Sequence, residues 1–476
     1  MSSHQSAYRQ FHGTETALIK VMNDLLMATD RGQVSALCLL DLTAAFDTVD
    51  HGLLLSRLQQ CFGIESSCLA WFTSYLTDRT YCVAVDGVFS RVIHAMCSVP
   101  QGSVLGPLLF ILYTAELADI AAQHTTILHG FADDNQLYIH CQVKDVQSAA
   151  AKIENCVRAI EHWMAANRLR LNPEKTELIW IGAKNNLLKI PDGGPHLTLG
   201  GTHITSSDVV RVLGVLLTPN LLLDKHVTSL SAKCFFQLRQ LRRIRRSLDD
   251  DSVATLVHAF VTSRVDYCVG LLAGAPKKTT DKLQRVLNAA ARVVSNCGKY
   301  DRGLTQFWCH TLYWLEVTDR IQFRLCIQVY KCQHSMAPGY LAELCRPVSN
   351  IDGHRYLRSA GRGQLDVPRV RLSTYGGRAF CYVGPSAWNA LLLLTLLAHR
   401  AHSRLFYSLM HYINYLLTYL LNLHLYFRKF SGVTPRPHNW GGASPSPDPF
   451  ASARIHCPTL AHVKMSGTCI TTHYHY

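Results

Sequence analysis

Asp133 and Asp134 stand side by side in His129-Gly-Phe-Ala-Asp-Asp-Asn-Gln-Leu-Tyr138, between an apolar run over 126–132, broken by Gly130, and a second extended run over 136–141. The pattern predicts a hairpin with both carboxylates at its tip. Two ionised carboxylates about 4 Å apart repel by roughly 4 kcal/mol at an effective dielectric near 20, so the pair favours a bound cation. An Asp-Asp in a turn is more often a solvated loop, and its meaning depends on the acids that accompany it. One companion is Asp41, at the end of the apolar run 34–40, which reads as a strand buried on both faces. A carboxylate there is costly unless paired or liganded. Another is Lys175, poised beside the start of a strand over 178–181.

These groups need rigid elements to hold them. Residues 14–30 read as a helix, with Thr14 as its cap and Leu18, Val21, Leu25 and Leu26 on one face. Helical spacing recurs over 47–62, where Asp47 and Asp50 offer caps, and again over 69–76. Asp86-Gly87 between two extended runs is a hairpin signal. Val99-Pro-Gln-Gly-Ser-Val-Leu-Gly-Pro107 leads into an apolar helix running to about Ala121, and a glycine-rich approach to a helix lets backbone come close to phosphate. Asp145 is placed to cap an amphipathic helix carrying Ile153, Val157, Ile160 and Met164. Residues 182–207 read as a loop or small ribbon, and 210–217 as a short strand kinked at Gly214. Over 233–248, Phe236, Leu241, Ile244 and Leu248 interleave with Arg239, Arg242, Arg243, Arg245 and Arg246, a charge run suited to a phosphate backbone or to a solvated helix face. Further helices are expected over 252–264, 280–295 and 318–334.

The chain of 476 residues, 48% apolar and 17% charged, has the make-up of a protein with a buried core. Its 47 Lys plus Arg against 33 Asp plus Glu give a net charge of +14, which suits a polyanionic partner. Seventeen cysteines without a CxxC pair read as reduced core thiols of an intracellular protein, in nucleus or cytoplasm. The polar start carries no apolar signal region, which argues against secretion. Leu391 to Leu397 and the interrupted apolar stretch 408–427 fall short of a membrane span of about 18 residues, so no stable membrane association is expected. The end of the chain holds Cys457, His462, Cys469, His473 and His475 at no metal-site spacing.

Taken together, LCLLDLTAAFDTVDH around Asp41, SVPQGSVLGPLLFILY around Gln101, GFADDNQLY around Asp133 and RLRLNPEKTELIWIG around Lys175 stand in one order and at a consistent spacing. This resembles the palm of a reverse transcriptase, specifically that of the LINE-type (non-LTR) retrotransposons, close to the jockey and chicken-repeat elements. The similarity runs on through VRVLGVLL, AFVTSRVDYC, APKKTTDKLQRVLNAAARVV and YGGRAFCYVGPSAWNAL, so it covers about 5–391. Departures are YRQFHGTET where the family more often has YRxGHSTET, and Phe131 in place of the usual Tyr.

The resemblance implies an α+β right-hand polymerase palm, an antiparallel sheet with packed helices, joined by partial fingers and a helical thumb and C-terminal extension. The divisions expected are 1–33 for a remnant of the fingers, 34–208 for the palm and 209–300 for the primer grip and thumb. The helical extension would occupy 301–390, and a divergent, poorly ordered tail 391–476. It further implies an RNA-directed DNA polymerase that joins dNTPs to a DNA primer on an RNA template. Asp41, Asp133 and Asp134 would bind two Mg2+, or Mn2+ in their place, about 3.5 to 4 Å apart. Lys175 would serve as general acid for pyrophosphate. Arg9, the Leu42 carbonyl, Phe46, Gln101 and Gly102 would contact the nucleotide, with Phe46 excluding a 2'-hydroxyl. The five arginines of 239–246 would follow the duplex backbone. Eight residues precede Arg9, too few for outer finger strands or an endonuclease domain. That motivates an alternative expectation, a catalytically inert, truncated nucleic-acid-binding protein. The oligomeric state is left open by the sequence.

Overall fold

Period-two alternation feeds two separate cores from one sheet. Within Val34–Leu40, Leu37 packs in one cluster with Tyr138 and Ile179, whereas Ala36, Cys38 and Leu40 pack in another with Leu137, Ile139 and Leu178. The computed structural model describes residues 2–100, 102–298, 300–307, 312, 314–351, 363–400 and 471–473. Its strands in chain order are β1 Val34–Leu40, β2 Thr80–Val85, β3 Val88–Phe89, β4 Ile93–His94, β5 Ile127–Phe131, β6 Asp134–Cys141, β7 Glu177–Ile181, β8 Leu197–Leu199, β9 Thr202–Ile204, β10 Val210–Val212, β11 Val215–Leu217 and β12 Thr471–His473.

The central sheet has the order β5-β6-β1-β7, antiparallel throughout. Helix Thr14–Asp30 covers one face with Leu18, Val21 and Leu25. Helices Leu105–Tyr113 and Val146–Ala166 cover the other with Phe110, Tyr113, Ile153, Val157, Ile160 and Met164. This is the expected palm. The core on the first face continues into helices Asp224–Ile244, Lys277–Val294 and Val317–Gln333.

Several local expectations are corrected. Gly13, not Thr14, caps the first helix, because the Thr16 hydroxyl accepts the Gly13 N–H at 3.0 Å. Asp50 does cap helix His51–Gln60, its carboxylate accepting the Leu53 N–H at 2.9 Å, whereas Asp145 precedes its helix without a side-chain cap bond. The apolar helix expected to reach Ala121 breaks into Leu105–Tyr113 and Leu117–Gln123. Residues 210–217 form a hairpin and not one kinked strand, since Leu213 and Gly214 both take positive φ, 43° and 86°, as a two-residue turn between right-twisted strands requires. The arginine helix starts earlier than expected, at Asp224, and its buried side is Val227, Ser231, Cys234, Leu238 and Leu241, leaving Phe236 and Ile244 exposed. Helix Phe380–Arg400 runs past 391, into what the sequence reading gave to the tail.

A second unit comprises residues 78–95 with strand β12: β2 pairs with β3 around the Asp86-Gly87 turn, with β4, and with β12, all antiparallel. Among the described residues one helical stretch, Leu105–Gln123, is long and apolar enough to cross a membrane, and its Leu109, Phe110, Ile111 and Tyr113 are core residues. The stretch 408–427 and Cys457, His462, Cys469 and His475 lie outside the described residues. Every described cysteine is a free thiol.

A single guanidinium ties helix His51–Gln60 to the sheet's second face. Arg57 lies between the rings of Tyr113 and Trp163, 4.9 and 4.7 Å from their centres. It donates to the Tyr113 carbonyl, to Asn167 Oδ1 at 2.7 Å and to Glu116 Oε2 at 3.2 Å. Lysine has neither the planar fork nor the stacking face. Arg57→Lys is therefore expected to cost about 1–3 kcal/mol, read as a lower urea midpoint with an unchanged slope.

Candidate active site

The register of β1 against β6 brings the acids together. Val34 pairs with Cys141 and the ladder ends with Leu40 opposite Asn135. The next residues along the two strands, Asp41 and Asp134, therefore face each other, and opposed residues of an antiparallel pair share a face at a Cβ separation of about 5 Å. Asp134 is the first residue of β6, opposite Phe131, so the turn proper is Ala132-Asp133. Ala132 holds φ 57°, a strained conformation for a residue with a Cβ. Neighbours support the turn: Asn135 Nδ2 donates to the Asp133 carbonyl at 3.0 Å, Gln136 Nε2 donates to the Asp134 carbonyl at 3.2 Å, and the Ala132 N–H donates to Gln5 Oε1 at 3.3 Å.

The Asp134 carboxyl titrates above its ordinary value, through withdrawal from water first and then through the negative charge of Asp133 and of Asp41. Asp134 as a whole residue is exposed, so the like-charge contribution is the one the geometry supports. Lys175 supplies one compensating charge: its Nζ lies 3.4 Å from Asp41 Oδ1. Its backbone is set by a turn in which the N–H groups of Lys175 and Thr176 both donate to the Asn172 carbonyl.

Asp41 and Leu42 are anchored from the other side. The Thr43 N–H donates to the Arg170 carbonyl and the Asn172 N–H to the Asp41 carbonyl, at 2.9 and 3.0 Å, which pairs Leu42 with Leu171. Both bonds of this bridge bypass the Leu42 carbonyl. Phe46 follows in a turn, half-buried, its ring stacked on Phe110 with centroids 4.6 Å apart. The Val99 N–H donates to the Phe46 carbonyl and the Ser98 N–H to the Val49 carbonyl, so the loop leading to Gly102 lies against this turn. Gly102 takes φ 80°, and Ser103 Oγ accepts the Gly106 N–H at the start of the following helix. Gln101 lies outside the described residues.

Two expectations shift. One guanidinium nitrogen of Arg9 donates to the carbonyls of Ser2 and Gln5 at 2.8 and 2.9 Å, so this group folds back on its own segment. Arg245 is not a surface contact for phosphate. Its guanidinium donates to the carbonyls of Val293, Val294 and Leu248 and pairs with Asp250, closing the C-terminal end of helix Lys277–Val294. Arg239, Arg242, Arg243 and Arg246 are exposed. Gln5, Asn135 and Gln136 escaped the sequence reading. The only signal was polarity inside an otherwise apolar strand at Asn135 and Gln136, and nothing marked Gln5.

Among the described residues, no group of three His, Cys, Asp or Glu side chains is drawn in to metal-ligand spacing. The donor chemistry nonetheless fits a hard divalent cation. Mg2+ commonly takes one or two protein carboxylates and completes its octahedron with water and substrate oxygens, and Asp133 and Asp41 both act on the Asp134 carboxyl.

The antiparallel sheet with its acidic turn near the end of β1 lies within the part of the chain that is similar to a reverse transcriptase. Residues 1–217 match the family model "Reverse transcriptase (RNA-dependent DNA polymerase)", a family that generally uses divalent metal ions and binds nucleic acid. The curated relatives that the chain matches are RNA-directed DNA polymerases of non-LTR retrotransposons. The chain is 28% identical, over 64% of its length and 34% of the relative's, to the "Probable RNA-directed DNA polymerase from transposon BS" of Drosophila melanogaster. It is 25% identical to the corresponding protein of transposon X-element from the same organism, over 63% of this chain and 33% of that one, and 26% identical to the RNA-directed DNA polymerase from mobile element jockey, over 48% and 24%. The chain thus spans about a third of the length of the first two of these relatives. Among solved structures, apo telomerase from Candida tropicalis aligns over 70% of this chain and 56% of that one, at a TM-score of 0.37 and 13% identity.

The charge arrangement has a pH signature. Because the folded Asp134 carboxyl titrates above its unfolded value, the folded chain retains a proton that the unfolded chain has lost, and stability falls as pH rises through that window. Asp134→Asn removes the penalty. The variant is expected to melt higher than the parent at neutral pH, and the gain should vanish as the pH drops below the ordinary aspartate range. A gain independent of pH would contradict this.

Proposed function

We propose that this chain is an RNA-directed DNA polymerase, adding dNTPs to a primer 3'-hydroxyl on an RNA template. The observation that carries the reading is that the β1–β6 ladder ends with Leu40 opposite Asn135, so that Asp41 and Asp134 are the next residues along the two strands, with Asp133 in the adjoining turn. These carboxylates would hold two Mg2+, or Mn2+ in their place. When bound, the ions would lower the pKa of the primer hydroxyl and neutralise charge on the departing pyrophosphate.

The chain's own residues have the remaining work. Lys175, now on Asp41, is a mobile ammonium that a cation at Asp41 would release toward phosphate, where it can donate a proton to pyrophosphate. The Leu42 carbonyl, outside its local ladder, is available as an oxygen ligand. Phe46, backed by Phe110 and therefore unable to retreat, presents a rigid ring where a 2'-hydroxyl would clash. Gly102, in a positive-φ conformation, lets backbone N–H groups approach the nucleotide without an intervening side chain. Arg9 would reach the triphosphate with the donors its own segment leaves over. Residues 210–217 would support the primer end as a hairpin.

Arg239, Arg242, Arg243 and Arg246 lie exposed on or beside helix Asp224–Ile244, interleaved with exposed Phe235, Phe236 and Ile244. This is the composition of a surface that follows a nucleic-acid backbone and stacks on its ends.

Primer extension on an RNA template is the direct test: the chain is expected to extend, and the Asp133→Asn, Asp134→Asn double variant to lose at least about a thousandfold, as removal of charge-stabilising groups does. Equal background in both would remove the proposal. For the arginines, Arg242→Ala with Arg243→Ala should weaken binding of an RNA–DNA hybrid and reduce the salt slope by about 2. Arg245→Ala should leave the slope unchanged and lower the melting temperature.

A further inference from the structure

The edge of the central sheet at β5 is extended by the first residues of the chain. The Ser6 N–H donates to the Gly130 carbonyl at 2.9 Å and the Gly130 N–H donates to the His4 carbonyl at 3.0 Å, which makes a parallel bridge between Gln5 and Gly130. This segment is fixed from behind. Ser6 Oγ shares hydrogen bonds with His129 Nε2 at 2.9 Å and with the Tyr340 hydroxyl at 2.8 Å, and that hydroxyl donates to Thr16 Oγ1 at 3.3 Å. Arg9 closes the same segment on itself through the Ser2 and Gln5 carbonyls. Two distant parts of the chain, strand β5 and Tyr340, together with the nearby Arg9, thereby fix the backbone that carries Gln5.

The Gln5 amide oxygen accepts the Ala7 N–H at 3.0 Å and the Ala132 N–H at 3.3 Å. Ala132 is the residue that carries the unfavourable φ of 57° in the acidic turn. A non-glycine residue stays in such a conformation only where its surroundings over-determine it, and strain of this kind is of order 1–3 kcal/mol. On one side the turn is supported by Asn135 on the Asp133 carbonyl and Gln136 on the Asp134 carbonyl, and on the other by Gln5 on the Ala132 N–H. Close packing at Gly130 keeps the Gln5 support in register: a Cβ there would come within 3.0 Å of Gln5 Nε2 and 3.3 Å of Asn135 Oδ1.

We propose that Gln5 is a positioning residue for the acidic turn, its amide oxygen holding the Ala132-Asp133 backbone so that Asp133 stays beside Asp134 and Asp41. It does not itself touch nucleotide or metal. The inference rests on the polymerase reading for its catalytic consequence, though not for the clamp.

Gln5→Met keeps the side-chain length and deletes the acceptor. Hydrogen exchange followed by mass spectrometry should show the peptide across 129–136 exchanging about tenfold faster at the turn, with β1 unchanged. Mn2+ titration of the same protein should show about tenfold weaker binding, the scale on which loss of an outer support lowers metal affinity. In primer extension, kcat should fall about tenfold to a hundredfold while the dNTP KM stays within about twofold, because misplacement of reacting groups is felt in the chemical step. If Gln5→Met does not fold, Gln5→Leu, which also deletes the acceptor, should give the same three changes. Unchanged exchange at the turn overturns the clamp, and faster exchange with unaltered Mn2+ affinity overturns its role in positioning. Should the parent chain extend no primer, the polymerase reading fails separately, and exchange together with Mn2+ titration still decides the proposal.

Discussion

Repulsion between like charges is the constraint around which this domain is built. An antiparallel ladder running without interruption from Val34 opposite Cys141 to Leu40 opposite Asn135 places the next pair, Asp41 and Asp134, across from each other. The Asp134 carboxyl titrates above its ordinary value, first through withdrawal from water and then through the neighbouring charges of Asp133 and Asp41. The fold tolerates this because the sheet is buried on both faces, by helix Thr14–Asp30 on one and helices Leu105–Tyr113 and Val146–Ala166 on the other. Apolar burial far from the acids outweighs their repulsion.

Helix Thr14–Asp30 is where distant parts of the chain meet. Its Asp30, buried, accepts the backbone N–H groups of Arg371 and Leu372, and its buried Asn23 accepts the Cys381 N–H. Glu15 at the other end takes bonds from Arg324 and Gln328. Buried polar groups of this sort are costly when left unpaired, so each tie fixes the register of the C-terminal extension against the palm. Tyr340 carries the same extension to Ser6, and through residues 4–6 to the edge of the sheet next to the acidic turn. The helical extension is thus part of the frame around the carboxylates and not an appended module.

Basic charge is used in three different ways. Lys175 balances Asp41 at the surface. Arg57 is desolvated between two rings and satisfied by carbonyls, a structural use that exploits the flat guanidinium. Arg245 closes a helix end, while its neighbours along the same sequence run remain exposed. Residue type alone does not separate these uses. What separates them is whether unpaired carbonyls lie within reach, and those of Val293 and Val294 come from a helix about fifty residues away in sequence.

Local chemistry made much of the molecule readable in advance. Strand β1 follows from an unbroken apolar run, helix Thr14–Asp30 from its 3.6-residue period, the Asp86-Gly87 hairpin from its turn residues, and the acidic hairpin from two extended runs around Asp133 and Asp134. Each of these signals depends on neighbours within a few positions, so the sequence carries it whole. The cap at Gly13, the fold-back at Leu213-Gly214 and the exposure of Phe236 and Ile244 depend on finer backbone geometry or on what packs against an element, and there the sequence reading strayed. The order β5-β6-β1-β7, the meeting of Asp41 with Asp134, the diversion of Arg245 to a helix end and the Gln5 bond to Ala132 are properties of tertiary structure alone. Register and long-range hydrogen bonds are chosen by the burial of both sheet faces at once, and no window along the chain contains that information.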